Sequence, residues 1–358
     1  MPNVVVAEDD RFLRVVQVVL DPNVSDERVA AYTDFFAHDE PDFAGWCRKV
    51  RQKAGKLFPA EVRLVETQEE LRAGLADARA LVVESLSVGA GEIEAAPHLR
   101  AVQKYGTDLR RIDEKACAAK GIAVLKLRRR ANIACAELAF TLMLMLARRV
   151  NELAGRISVE ALAELGYHYQ PYDRRHTPNS NWGRVQGLKI LYGSTLGIIG
   201  LGEIGREFAL RAAAFGMRVL YTQRQQALAA VEQQYQATFR PMADLLAESD
   251  WVVPLVPSTP ATQNLIGSGE LARMRPGARL VNISRAAVVD RAALIEALQS
   301  GHLGGFALDP LYESPGRNDD ELLKFRNVIM TPHIAAQPRF NALDDLEEMI
   351  TGMARAVD

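Results

Sequence analysis

The sequence encodes an α/β protein with two parallel sheets, each wound with helices on both faces. Three observations lead there. Strand-like runs alternate with helical ones, the pattern of parallel strands joined by crossover helices. The alternation occurs twice, on either side of a long apolar helical segment. The 358 residues exceed what one ordinary core accommodates and suit two domains.

The first series opens with "NVVVAE", which reads as a buried strand. Residues 11 to 60 follow no clear period, and "AHDEPDFAGWCRKV" within them is polar and aromatic with helical patches. Then "EVRLVE" reads as a strand, "QEELRAGLADA" as a helix, and "ALVVES" and "LRAVQKYG" as strands. "DEKACAAKG" reads as a helix stopped by Gly121, and "IAVLKL" as a last strand, so this domain ends near Arg128. A helix follows, starting after Asn132 and running through Arg149, apolar almost all round. Such a helix is buried on several sides, either within the chain or against a second copy, and a homodimer is expected. Residues 165–186 are aromatic, basic and loop-like, fit either to shape a pocket or to touch another subunit. The second series comprises "TLGII", "IGREFALRAAAFG", "MRVLY", "SDWVVPLVP", "ARLVNIS", "HLGGFALD" and "NVIMTPH", and "FNALDDLEEMITGMARAV" closes the chain as a helix.

Composition excludes several classes. With 48% hydrophobic and 25% charged residues and a net charge of −2, nothing favours nucleic acid or an anionic membrane as partner. The run Arg128-Arg129-Arg130 is short enough for a solvated or hinge segment. Cys47, Cys117 and Cys135 form neither a metal pattern nor a disulfide framework, so no metal and a reducing, cytoplasmic setting are expected. "MPNVVVAEDD" places acids directly after a short apolar run, unlike a signal peptide. "ACAELAFTLMLMLA" is interrupted by Glu137 and reads as too short to span a bilayer.

"GLGEIG" sets Gly200, Gly202 and Gly205 in a G-x-G-x-x-G spacing. Alone that spacing is weak, and a glycine-rich turn without a ligand can produce it. Here it follows a strand and opens a helix, which is the context of a dinucleotide-binding turn. The turn tightens at Gly200, backbone approaches a pyrophosphate at Gly202, and helix packs on strand at Gly205. An NAD site of this kind carries an acid about twenty residues on, for the ribose 2′-hydroxyl. The end of the next strand reads Thr222-Gln223-Arg224, without an acid. Gln223 stands where the acid belongs, and Arg224 can pair with a 2′-phosphate, so NADP(H) is expected over NAD(H). The alternative is a surface arginine beside a site that tolerates NAD without its acid.

"LGIIGLGEIG", "VNISRAAVVDRAALIEAL", "GGFALD" and "NVIMTPHIAA" occur in the order seen in D-isomer-specific 2-hydroxyacid dehydrogenases. The resemblance is close from about Asn181 to Ala336 and weaker over "KYGTDLRRID" and "RRRANIACAE". It implies a Rossmann cofactor domain, 131–336, and a flavodoxin-like substrate domain, 1–130 plus 337–358. Hinges near Arg129 and Ala336 would flank a cleft for a small 2-keto or 2-hydroxy acid. In the family the arginine after N-x-[SA] binds the substrate carboxylate and polarises the keto oxygen; here it is Arg285. The histidine of the T-P-H turn is the general acid-base, here His333. Further cofactor contacts implied are Glu203, Ile204, Thr222, Val256, Pro257, Thr262, Ile283, Ser284, Asp309 and Ala335, with His333 beside the nicotinamide. Gly106 and Thr107 match the start of the loop whose N–H groups meet the substrate carboxylate, although Asp108 replaces the usual second glycine. Asn132 and Glu137 match the start of the spacer helix, where Asn132 would cap it or line the cleft. Ala286 replaces the glycine that commonly follows the arginine.

The family's catalytic acid lies five residues after the Asp of "ALD" and precedes a proline. Five after Asp309 is Ser314, before Pro315, while Glu313 falls one residue early. On register, Ser314 occupies the acid's place. A serine can hydrogen-bond His333 but cannot balance an imidazolium's charge. Two other readings stay open: a dinucleotide-sensing scaffold with impaired catalysis, and a dehydrogenase of another small acid such as formate or phosphite.

Overall fold

The computed structural model describes residues 3–358 and separates into two units, 3–134 with Ala336–Asp358 and Cys135–Ala335. The first unit holds five parallel strands: β1 (Asn3–Glu8), β2 (Ala60–Val65), β3 (Ala80–Val83), β4 (Ala101–Lys104) and β5 (Ala123–Lys126). Their order is β2-β1-β3-β4-β5, the doubly wound order of flavodoxin-like sheets. Alternation along β1 distributes its side chains between two cores. Val5 and Ala7 face one core with helices Arg14–Leu20, Phe43–Lys53 and Phe340–Val357. Val4 and Val6 face the other, with Leu71, Ile93 and Cys117.

Residues 11 to 60, which show no period in the sequence, form the helices Arg14–Leu20, Asp26–Phe36 and Phe43–Lys53. Phe43, Trp46, Cys47 and Val50 make the buried stripe of the third. The closing helix spans Phe340–Val357, as its periodicity indicates, and buries Leu343, Leu346, Ile350, Met353 and Val357 along one face.

Asp345 lies fully buried within that face. Its carboxylate accepts the Arg130 backbone N–H at 2.9 and 3.1 Å and an Arg130 guanidinium N–H at 2.8 Å. An acid 215 residues away thus satisfies the first N–H of the helix Arg130–Arg148. This corrects the role expected of Asn132 as cap: the helix begins before it, and Asn132 sits buried inside the first turn.

The second unit holds seven parallel strands: β6 (Thr195–Ile199), β7 (Arg218–Thr222), β8 (Ala237–Phe239), β9 (Trp251–Pro254), β10 (Arg279–Asn282), β11 (Gly305–Leu308) and β12 (Val328–Met330). The order is β12-β11-β10-β9-β6-β7-β8. β8, unread in the sequence, is a short edge strand. The winding direction reverses between β6 and β9, and in open parallel sheets ligands bind outside the carboxyl ends at such a switch point.

From Cys135 onward the spacer helix packs into this unit through Ala136, Ala139, Phe140, Leu142, Met143 and Leu146. What it leaves exposed is one stripe, Glu137, Thr141, Leu144 and Arg148, narrower and more polar than its composition suggests. The segment is also longer than the apolar run in the sequence. At 19 residues with a mean hydropathy of 1.4 it has the length and composition of a membrane span, and half of it is buried in the protein.

Candidate active site

The carboxyl ends of six strands, β6, β7, β9, β10, β11 and β12, supply the site. At the end of β6, Gly200 adopts φ +104°, and a Cβ there would lie 2.6 Å from the Leu255 carbonyl oxygen beyond β9. A Cβ on Gly205 would lie 2.3 Å from the Gly200 carbonyl, so helix Glu203–Ala214 packs as close as it does only on glycine. Around Gly202 a Cβ would meet nothing. Gly202 is also the N-cap of that helix and offers no side-chain cap. An open approach to an uncapped helix N-terminus fits a diphosphate, and the residues present thus suit a dinucleotide.

At the end of β7, Thr222 is buried and its carbonyl accepts the Gly200 N–H at 2.8 Å. The Gln223 carboxamide is committed to backbone: its oxygen accepts the Leu201 N–H at 3.2 Å and its nitrogen donates to the Gln225 carbonyl at 2.7 Å. It braces the glycine turn where an acid would meet a ribose. Arg224 is exposed and, among the described residues, forms no hydrogen bond or ion pair. Beyond β9, Val256 and Pro257 open a turn closed by the Thr262 hydroxyl, which donates to the Pro257 carbonyl at 2.6 Å and accepts the Thr259 N–H at 2.8 Å.

β10, β11 and β12 end in register, with Asn282, Leu308 and Met330 at one level. Asn282, fully buried, shapes the exit of β10. Its oxygen accepts the Ser284 N–H and hydroxyl at 3.0 and 2.9 Å, and its nitrogen donates to the Arg285 carbonyl at 2.8 Å. Ile283 points into the core, so it offers only backbone to a ligand. Arg285 leaves this turn extended and exposed, and one guanidinium N–H donates to the Ser284 carbonyl at 2.7 Å.

Asp309, fully buried after β11, builds the histidine turn. Its carboxylate accepts the Thr331 hydroxyl at 2.6 Å and the Ile334 and Ala335 N–H groups at 2.8 and 2.9 Å. Its carbonyl accepts the His333 N–H at 3.0 Å. His333 sits at φ +58°, a left-handed conformation that costs an L-residue energy and persists only where the surroundings impose it. Three hydrogen bonds thus tie the Asp309 carboxylate to the turn that holds His333.

The His333 ring is exposed and, among the described residues, has no hydrogen-bond or ion-pair partner. Ser314 therefore does not bond it, although register puts the serine in the acid's place. Glu313 does not reach it either. The physical reason is the loop after Asp309. The Tyr312 hydroxyl donates to the Val289 carbonyl at 2.9 Å and its ring lies 5.9 Å from the Arg291 guanidinium, anchoring the segment beside helix Arg291–Gln299. Glu313 adds negative charge near Arg317, which holds Asp319 at 2.8 and 2.9 Å.

In the first unit, Gly106 follows β4 at φ +151°, and its carbonyl accepts the Leu127 N–H at 2.8 Å. Asp108, where the second glycine was expected, pairs with the Arg110 guanidinium at 2.9 and 2.5 Å, so Arg110 offsets the charge it brings. Two neighbouring carboxylates, Glu84 and Glu8, escaped the sequence reading. Arg129 lies 4.1 Å over the buried Tyr105 ring and donates to Glu84 at 2.9 Å. Burial pushes the Glu84 carboxyl above its ordinary range, against the pull of Arg129. Glu8, at the end of β1, accepts the N–H groups of Glu84, Ser85 and Leu86 at 2.7, 2.7 and 3.0 Å and fixes the exit of β3. Their signal was only the carboxylate at a strand end. Among the described residues no cluster could hold a metal, and Cys47, Cys117 and Cys135 are free and buried.

A glycine turn at the switch point of a doubly wound sheet, with an arginine after β10 and a histidine after β12 at the same carboxyl edge, fits the class of nicotinamide-dependent oxidoreductases. Residues 140–335 match the NAD binding domain of the D-isomer specific 2-hydroxyacid dehydrogenases. The glyoxylate reductase of Thermococcus gammatolerans is 38% identical over 261 residues, 73% of this chain and 74% of that protein. A glyoxylate/hydroxypyruvate reductase B of Yersinia pestis is 34% identical over 81% of this chain and 86% of its own. The apo D-mandelate dehydrogenase of Rhodotorula graminis aligns at a TM-score of 0.54 with 25% identity, covering 98% of this chain and 92% of its own. The chain belongs to the D-isomer-specific 2-hydroxyacid dehydrogenase family and is an oxidoreductase that uses a nicotinamide dinucleotide.

Proposed function

We propose that the chain reduces a small 2-keto acid to the D-2-hydroxy acid, and runs the reverse oxidation, with Arg285 holding the substrate carboxylate and His333 as general acid-base. The observation that carries this reading is the register of β10, β11 and β12. It sets Arg285 and His333 at the same edge of the sheet as the glycine turn. The bound dinucleotide supplies the hydride. Arg285 orients the acid and draws electron density toward the keto oxygen, a task suited to a planar, always-charged fork. His333 donates a ring N–H to that oxygen as it gains charge, and takes the proton back in oxidation. Relatives named glyoxylate and hydroxypyruvate reductases make a two- or three-carbon keto acid the first substrate to assay.

NADP(H) is the preferred coenzyme in this proposal, because Gln223 is committed to backbone and Arg224 stands uncommitted beside it. Arg224→Ala should weaken NADPH about tenfold or more and leave NADH nearly unchanged in fluorescence titrations. Equal loss for both coenzymes rejects the assignment.

Reduction should decline as pH rises, because a general acid must carry the proton it donates. Ser314→Glu should raise turnover and flatten that decline, while Glu313→Ala changes little. A pH–rate comparison in which Glu313→Ala removes most turnover would instead make Glu313 the acid.

A homodimer is proposed as well. Leu144, Ile190, Tyr192 and Phe215 are 36%, 62%, 75% and 45% exposed. They are gathered by the Lys189 N–H bond to the Ala147 carbonyl, by the contact of Phe215 with Phe140 at 4.9 Å, and by the Tyr192 ring against Gly216. So much adjoining apolar surface favours a partner. Light scattering at micromolar protein tests this, and a monomer mass ends the idea.

A further inference from the structure

The amino ends of β10, β11 and β12 border a charged cavity, on the edge of the sheet opposite the glycine turn, Arg285 and His333. It measures about 380 Å³ and is lined by Arg149, Glu152, Arg279, Gly304, Arg326 and Asn327 among others. Arg279 begins β10. Its guanidinium lies 5.0 Å from the Trp251 ring centre, and among the described residues it meets no carboxylate and no hydrogen-bond acceptor. Burial, and then the nearby charge of Arg149, lower its pKa from the ordinary value.

Arg149 is answered within the protein: it holds Glu152 at 2.8 and 2.6 Å and donates to the Gln186 carbonyl at 3.1 Å. Arg326 donates only to the Leu165 carbonyl, at 3.1 Å, and has no ion pair among the described residues. Three guanidinium charges against the single carboxylate of Glu152 leave a surplus of two positive charges around one cavity. Like charges in a half-buried setting oppose one another, and donors without acceptors add to that cost. The stacking of Arg279 on Trp251 explains where its stem lies but not its open donors.

We propose that this cavity binds a small dianion of the phosphate type, free phosphate or a phosphate monoester, held chiefly by Arg279 and Arg326. The site lies a strand's length from the proposed chemistry and does not depend on it. Trp251 makes it observable. Titrating the full chain with inorganic phosphate at constant ionic strength should produce a saturable change in tryptophan fluorescence that is absent in Trp251→Phe. Arg279→Gln should abolish it. Arg326→Gln, at an exposed position whose change leaves the core intact, should weaken apparent affinity about tenfold. A parallel titration with glycerol phosphate assigns the natural ligand class: tighter binding points to an ester, weaker binding to the free ion. A response no different from chloride, or unchanged titrations in both arginine variants, overturns the proposal.

Discussion

Exchanging His333 for glutamine is expected to slow 2-keto acid reduction by about 10²–10⁴-fold, the usual contribution of a positioned general acid. The structure prepares this position with some care. The backbone is held at φ +58°, the His333 N–H is bound by the Asp309 carbonyl, and the Asp309 carboxylate holds Thr331, Ile334 and Ala335 around it. Glutamine retains size and polarity but cannot move a proton at neutral pH. The loss should therefore fall on kcat rather than KM, and the pH dependence of the parent should disappear. NADPH affinity, measured separately by fluorescence, should stay within a few-fold of the parent, showing that the turn still folds. A variant with the parent's kcat and pH profile would falsify the role given to His333. Asp309→Asn is a useful companion: it should lower kcat through disorder of the turn without abolishing the pH dependence.

Removing the guanidinium in Arg285→Ala should cost about 10²–10³-fold in kcat/KM, the scale seen when one preorganised donor to a developing oxyanion is lost. Arg285 owes its position to the Asn282 turn, and one of its N–H groups is tethered to the Ser284 carbonyl at 2.7 Å. Both the carboxylate and the keto oxygen of the substrate need it, so KM should rise and kcat should fall together. Arg285→Lys should recover only part, because an ammonium keeps the charge but not the fork. Free guanidinium ion should restore some turnover to Arg285→Ala and none to the His333 variant. Should Arg285→Ala match the parent in kcat/KM, another group must bind the carboxylate.

How much of this was legible depends on the distance over which each feature is determined. The apolar run of β1, the stripe of Phe340–Val357 and the strand–glycine–helix turn at Gly200–Gly205 were read directly from the sequence. Backbone periodicity and the φ freedom of a turn are local properties, and a few neighbouring residues specify them. The helix Asp26–Phe36 was not legible, because it buries only Phe36 and so carries no stripe. The order of the strands was not legible either, yet it decides which strand ends lie side by side at the edge that carries Arg285 and His333.

The polar framework lies furthest from the sequence. Asp345 reaches Arg130 across 215 positions, and Asp309 reaches Thr331 and Ala335 across 22 and 26. The clearest case is the segment Asp309–Pro315. Its spacing names Ser314 as the counterpart of an acid, but the Tyr312 hydroxyl bond to Val289 carries that loop to a course on which neither Ser314 nor Glu313 touches the His333 ring. Residue types and their spacing, set along the chain, determined the kind of chemistry this protein can perform. Which groups meet depended on buried hydrogen bonds between distant strand ends, because a polar group enclosed by the core must find its partner wherever the packed sheet places one.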